Sequence, residues 1–248
     1  MKRLIAIFLC LSVCLGGRSV LAGEDVTVLI TGANRGIGLE YAKQMSAKGY
    51  RVIGTARNPS QADELDVVAD RIEQLDVADA SSVAALADRL EGVAIDILIN
   101  NAGIFPREDV TLDKVDFEMM ERVLAVNTLG PLRVTRALMP NLQAGKRKII
   151  VSMTSGLGSI EKSNGRWYAY RSSKTALNQI NKIWSVELGP EGFICTVLHP
   201  GWVRTDMGGP DATYSPEESV AGLVRVIEGL GPDDNGQFYD FQGNVIPW

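Results

Sequence analysis

Short apolar runs alternate with longer amphipathic stretches from residue 26 to the end of the chain. Residues 26–30, 51–55, 72–75, 95–99, 148–152, 193–198 and 237–241 are runs of strand type. Between them lie helical patterns, most clearly over 116–138 and 169–187. Strands alternating with helices of this length imply a parallel sheet with helices on both faces. No linker, repeat or low-complexity segment interrupts the alternation, so the pattern predicts an α/β fold: a doubly wound parallel sheet in one domain.

Residues 1–22 stand outside that pattern. Lys2 and Arg3 precede an apolar run over 4–15, which Gly16, Gly17, Arg18 and Ser19 break, and Val20-Leu21-Ala22 then offers a cleavage site. This is the layout of a secretory signal peptide, and the run is shorter than the roughly 18 apolar residues that span a bilayer. An uncleaved anchor or a misplaced start codon is the alternative. The expected division is a signal peptide over 1–22 and a folded domain over 23–248, with no stable membrane span. Cys10 and Cys14 fall in the leading segment, so only Cys195 belongs to the domain, and cysteine usage gives export no support.

Composition narrows the picture further. With 46% hydrophobic residues in 248, the chain has enough apolar mass for one sizeable core. The net charge of −5, with basic residues unclustered, argues against a nucleic-acid partner.

The first strand runs into Thr31-Gly32-Ala33-Asn34-Arg35-Gly36-Ile37-Gly38, and a helix follows. Gly32 permits a tight turn. Gly36 lets backbone N–H groups approach a pyrophosphate, and Gly38 allows the helix to pack closely on the strand. The helix N-terminus favours the anion. A glycine-rich turn between a strand and a helix, near the start of a domain, points to dinucleotide binding.

The spacing TGxxxGxG resembles the short-chain dehydrogenase/reductase family, a Rossmann-type fold. The likeness extends through Asp76-Val77, Asn100-Asn101-Ala102-Gly103 and the segment carrying Pro200, Gly201, Val203 and Thr205. Residues 198–209 and the final Trp248 most resemble the carbonyl reductases of the sniffer and C-factor group. The resemblance implies that Gly32, Asn34, Arg35, Gly36, Ile37 and Gly38 hold the phosphates of a cofactor. It implies that Asp76 and Val77 flank its adenine. Asn101, Ala102 and Gly103 fall in the family's NNAG motif, and Pro200, Gly201, Val203 and Thr205 lie near the nicotinamide.

Cofactor choice is read at the end of the second strand. An acidic residue there binds the ribose hydroxyls of NAD, whereas an Arg accommodates the 2′-phosphate of NADP. The position holds Ala56, followed by Arg57, and Arg35 is placed to clamp the same phosphate. The fork of guanidinium donors suits phosphate oxygens. NADP(H) is therefore expected in preference to NAD(H).

Tyr170 and Lys174 are spaced i, i+4, which puts them on one face of a helix. A free Tyr titrates near 10, and a neighbouring ammonium is expected to lower that value. This pair resembles the family's active-site motif, and Tyr168 is the weaker candidate because it points elsewhere on the helix. The resemblance places the catalytic Ser at Ser155, with Thr154 and Ser159 as rivals. The stretch from Ser155 to Tyr170 is two residues longer than the spacing the family leads one to expect, with residues 161–166 as a small loop. Asn127 resembles the Asn of the family's proton relay.

The resemblance thus implies an oxidoreductase interconverting a small carbonyl compound and an alcohol, with Tyr170 as acid, Ser155 on the substrate oxygen, Lys174 tuning Tyr170 and holding ribose, and Asn127 positioning a relay water. The alternative is a non-catalytic NADP-binding signalling protein of C-factor type. His199, the only histidine, reads as a packing or loop residue, and there is no metal-ligand cluster. The helices over 116–138 and 169–187 are expected to pair two copies into a homodimer, or a tetramer built from it. The leading segment predicts an exported or periplasmic protein, although NADP(H) is mainly a cytoplasmic cofactor and a cytoplasmic location is the alternative.

Overall fold

A computed structural model describes residues 26–108 and 111–248. The expected signal peptide over 1–22, with Cys10 and Cys14, lies outside the described residues. The strands are β1 (Thr27–Ile30), β2 (Arg51–Ala56), β3 (Arg71–Gln74), β4 (Ile97–Asn100), β5 (Ile149–Met153), β6 (Ile194–His199) and β7 (Phe238–Asp240). They form one sheet in the order β3-β2-β1-β4-β5-β6-β7, with every neighbouring pair parallel. The helices are α1 (Gly36–Ala47), α2 (Asp63–Asp66), α3 (Ala80–Arg89), α4 (Phe117–Leu124), α5 (Gly130–Ala137), α6 (Met139–Ala144), α7 (Tyr168–Glu187) and α8 (Pro216–Gly229). This is the predicted single-domain, doubly wound Rossmann-type fold.

Alternate strand residues serve alternate layers. Val28 and Ile30 of β1 face the layer of α1 and α8, where they meet Leu39, Met45 and Leu223. Leu29 faces the other layer, built on α3, α5, α6 and α7, with Leu86, Val134 and Trp184. Both faces of the sheet are thus buried, which is why the strands read as nearly continuous apolar runs. Each fully buried Leu or Ile contributes about 1.5–3 kcal/mol, so the two layers hold the sheet without a disulfide. Cys195 is buried and unpaired.

The strand order reverses between β1 and β4, which lie side by side although β2 and β3 come between them in sequence. Chain leaving the C-terminal ends of β1 and β4 departs in opposite directions, and a crevice opens there. Among the described residues, no helix is long and apolar enough to cross a membrane.

Two elements differ from the sequence pattern. The helix expected over 116–138 is interrupted by a π-helical turn, Ala125–Leu129, between α4 and α5. The fourth strand begins at Ile97, and just before it the buried Asp96, whose backbone still bonds Thr27 and Ile149, accepts three amide hydrogen bonds at its carboxylate. These come from Thr27 (2.9 Å), Lys146 (2.7 Å) and Arg147 (3.2 Å). One carboxylate thereby ties the entries of β1, β4 and β5. Replacing Asp96 by Ala strands those donors, and the unfolding free energy should fall by about 2–4 kcal/mol. Urea denaturation measures it, and an unchanged midpoint would contradict this role.

Candidate active site

The turn after β1 is shaped by its glycines. Gly32 and Gly36 have φ of +65° and +55°, the left-handed region that side-chain-bearing residues avoid. A Cβ at Gly38 would stand 2.2 Å from the Gly32 carbonyl and 2.5 Å from Asn101 Nδ2, so α1 can start there only with glycine. Asn101 Nδ2 donates to the carbonyls of Thr31 (2.9 Å) and Gly32 (3.0 Å). Thr31 Oγ1 accepts from the amides of Asn101 and Ala102, each at 3.0 Å. The ends of β1 and β4 are thereby locked together. No side chain caps the start of α1, and its first turn carries no acid. Its amide groups and dipole are thus left to an anion. Asn34 and Arg35 are exposed on the turn, and Ile37 is half-buried. This cradle fits a dinucleotide pyrophosphate.

The other predicted cofactor residues ring the same crevice. Arg57 is exposed just past β2, where Ala56 is buried. Asp76 caps its own turn by accepting from the Ala78 amide at 2.9 Å, and Val77 packs where Gly130 leaves no room for a Cβ. Thr205 Cγ2 lies 3.4 Å from the position of a Cβ on Gly36, so the segment after β6 reaches the phosphate turn. Pro200 and Gly201 open that segment, and Val203 is buried in it. Arg35 forms an ion pair with Asp206 at 2.9 Å, with both side chains largely exposed. An exposed pair of this kind is worth at most about 1 kcal/mol and yields readily to a phosphate.

The residues expected to carry the chemistry meet at the first turn of α7. Tyr170 is buried, and the Ser155 hydroxyl, just past the end of β5, is near enough to act on its phenol. That contact separates Ser155 from its rivals: Thr154 Oγ1 is engaged with Asn178 at 2.6 Å, and Ser159 Oγ turns to the Trp248 carbonyl at 3.4 Å. Tyr168 is exposed. Lys174 is buried one turn after Tyr170, with Nζ 5.7 Å from its ring centroid, and donates to the Met153 carbonyl at 2.8 Å.

The expected lowering of the phenol by Lys174 is not what the geometry gives. Burial pushes Tyr170 up to about 12, with the Ser155 hydrogen bond acting the other way. Burial pushes Lys174 down to about 8. Desolvation outweighs an ammonium that is committed to Met153.

Asn127 occupies the π-helical turn and is fully buried. Its Oδ1 accepts from the Ile104 amide and its Nδ2 donates to the Ile104 carbonyl, both at 2.9 Å, and Nδ2 also donates to Ser173 Oγ at 3.1 Å. A Cβ on Gly103 would meet Asn127 Oδ1 at 3.4 Å and Lys174 Nζ at 3.6 Å. Gly103 therefore keeps open the space these two groups share.

Two contributors carry no sequence signal of their own. Met153 acts through its carbonyl, and Ser173 is one of many helical serines. Phe105 packs on Tyr170 with ring centroids 4.5 Å apart and on Trp167 at 5.7 Å, making an aromatic wall beside the phenol. Arg166 and Trp167 both adopt positive φ, +67° and +54°, immediately before α7. His199, against Gly156, is pushed down to about 4 by burial and stays neutral, as a packing residue would. Among the described residues, no His, Cys, Asp or Glu cluster could hold a metal ion.

The family model for short chain dehydrogenase matches residues 26–214, and the chain belongs to that family. It is 48% identical over 155 residues to C-signal of Myxococcus xanthus, which covers 62% of this chain and 93% of that protein. A crystal structure of NADPH-bound carbonyl reductase from chicken fatty liver matches with a TM-score of 0.84 and 34% identity, covering 91% of this chain and all of that one. Carbonyl reductase Sniffer of D. melanogaster matches with a TM-score of 0.83 and 33% identity, over the same shares of both chains.

Proposed function

We propose that this protein is an NADP(H)-dependent reductase of small carbonyl compounds. The observation that carries the reading is the burial of Tyr170 beside Lys174 and Ser155, next to the crevice that the glycine-rich turn opens. When bound, NADPH supplies the hydride. Tyr170 donates its proton to the substrate oxygen, and Ser155 hydrogen-bonds that oxygen as negative charge develops. Lys174 holds the nicotinamide ribose and keeps a positive charge near the phenol. Asn127 and Lys174 hold a water in the space beside Gly103, through which Tyr170 is reprotonated. A phenol pushed up to about 12 stays protonated at neutral pH, which favours the reducing direction; oxidation of an alcohol needs the phenolate and should gain as pH rises.

NADPH is favoured over NADH by Arg57, by the absence of an acid at Ala56, and by Arg35, which exchanges Asp206 for the 2′-phosphate. The bound NADPH in the chicken enzyme is consistent with this choice. Two copies pair through α4 and α7, where Phe117, Ile183 and Val186 are 75%, 50% and 72% exposed. The likeness to C-signal favours a second reading, a dinucleotide-binding signalling protein that turns nothing over.

Three outcomes follow. Tyr170→Phe should lower kcat by roughly 10²–10⁴-fold while NADPH affinity stays near wild type. Activity within tenfold of wild type removes Tyr170 as the acid. Arg57→Asp should weaken NADPH by about 2–4 kcal/mol relative to NADH in steady-state kinetics, and equal effects on both would show that Arg57 does not touch the 2′-phosphate. Light scattering at micromolar concentration should give twice the mass of one chain or four times it, and a monomer mass refutes the pairing.

A further inference from the structure

The chain after β7 turns back on itself. Asp240 closes the turn by accepting at Oδ1 from the amides of Gln242 and Asn244, each at 2.9 Å. The Ile246 amide then donates to the Phe238 carbonyl at 2.7 Å, and Val245 pairs antiparallel with Tyr239. This hairpin covers part of β7, the edge strand, and it delivers Trp248 to the middle of the Ser155–Tyr170 connection. The Trp248 ring rests on Phe238, a fully buried side chain, with centroids 5.5 Å apart. Its carbonyl oxygen accepts from the Glu161 amide at 3.1 Å and from Ser159 Oγ at 3.4 Å.

Those two contacts fall where the connection loses its other support. Upstream, Gly158 is fixed to α7, its carbonyl accepting from Thr175 Oγ1 at 2.9 Å and Asn178 Nδ2 at 3.3 Å. Downstream, residues 160–166 are exposed, with Asn164 Oδ1 accepting from Arg171 near the far end. The segment then enters the left-handed pair Arg166–Trp167 and sets Trp167 against Phe105, beside Tyr170. Ser159 is the buried joint between the two parts: it accepts from the Lys162 amide at 3.2 Å while donating to Trp248.

We propose that Trp248 is a positioning residue for the substrate wall. Anchored on Phe238, it fixes the path of residues 159–167, and so fixes where Trp167 stands against Phe105, the ring that packs on Tyr170. Trp248 touches neither the reacting atoms nor the phosphate turn. Its effect falls on the fit of a bulky carbonyl substrate and leaves dinucleotide affinity alone. The proposal rests on the carbonyl-reductase reading for its kinetic consequence and not for its structural one.

The test uses the full chain with Trp248→Ala, Trp248→Phe and Ser159→Ala. By amide hydrogen exchange, the Glu161 amide should exchange about tenfold faster in Trp248→Ala, with α1 unchanged and Trp248→Phe close to wild type. Ser159→Ala removes one donor without touching the ring and should give a smaller change of the same kind. In steady-state assays with NADPH, Trp248→Ala should raise KM for a bulky aryl ketone about tenfold, with little change in kcat, in KM for a small aldehyde, or in NADPH affinity. Unchanged exchange at Glu161 overturns the proposal. So does an equal loss of NADPH affinity, which would mark general loosening of the domain. If the wild-type protein consumes no NADPH, the exchange measurement still decides the role of Trp248, while the reductase reading fails separately.

Discussion

Burying a lysine and a tyrosine within one helical turn is the constraint around which the rest of the site is arranged. Pushed from 10.5 to about 8, the Lys174 ammonium costs about 3 kcal/mol in the folded protein below that pH. The cost is offset as far as Lys174 finds acceptors, and Met153 supplies one because β5 ends there with its carbonyl free for α7. The same burial holds Tyr170 as a neutral phenol. The linkage has a definite sign for each group. Lys174 binds its proton less tightly folded than unfolded, so its contribution to stability improves as pH rises from about 8 toward 10.5. Tyr170 resists ionisation when folded, so its contribution worsens above about 10. Stability is thus given up at neutral pH for a proton donor next to a fixed positive charge.

The sheet explains why this pair meets a cofactor cradle. The order reversal between β1 and β4 opens a crevice at the C-terminal ends of both strands, and Asn101 and Thr31 tie those ends together. β5 lies next to β4, so Ser155 emerges beside the NNAG segment, and α7 returns over it. The π-helical turn inserts one extra backbone step between α4 and α5, turning Asn127 inward to grip Ile104 and Ser173. Gly103 then leaves a gap that a larger residue would fill.

Much of this was legible in the sequence because it is local. Strands buried on both faces show as apolar runs, and the glycines of the phosphate turn, the i, i+4 pair on α7 and the NNAG segment are short patterns with a physical cause. What the sequence withheld depends on partners remote in the chain. Asp96 reads as part of a strand until the amides of Thr27 and Lys146 come to it. The helix over 116–138 has continuous periodicity, and only packing against Ser173 shows where it is interrupted. Ser155, Thr154 and Ser159 are equivalent as letters, and what each faces distinguishes them: Tyr170, Asn178 and Trp248 in turn. Spacing points to a charge effect of Lys174 on Tyr170 and says nothing of the desolvation that outweighs it.

The likeness to a carbonyl reductase and to C-signal leaves one question at the centre, whether the crevice binds a dinucleotide or also spends its hydride. With Tyr170 as the donor of a proton to the substrate oxygen, bound NADPH would supply a hydride to the adjoining carbon, and that atom can be followed. The decisive measurement is incubation of the purified protein with NADPH deuterated at the reactive C4 position and a ketone, followed by mass spectrometry of the product. The account predicts one deuterium on the carbinol carbon of the alcohol, with oxidised cofactor formed in equal amount. Saturable NADPH binding with no deuterated alcohol, across aldehydes, ketones and quinones, would contradict it.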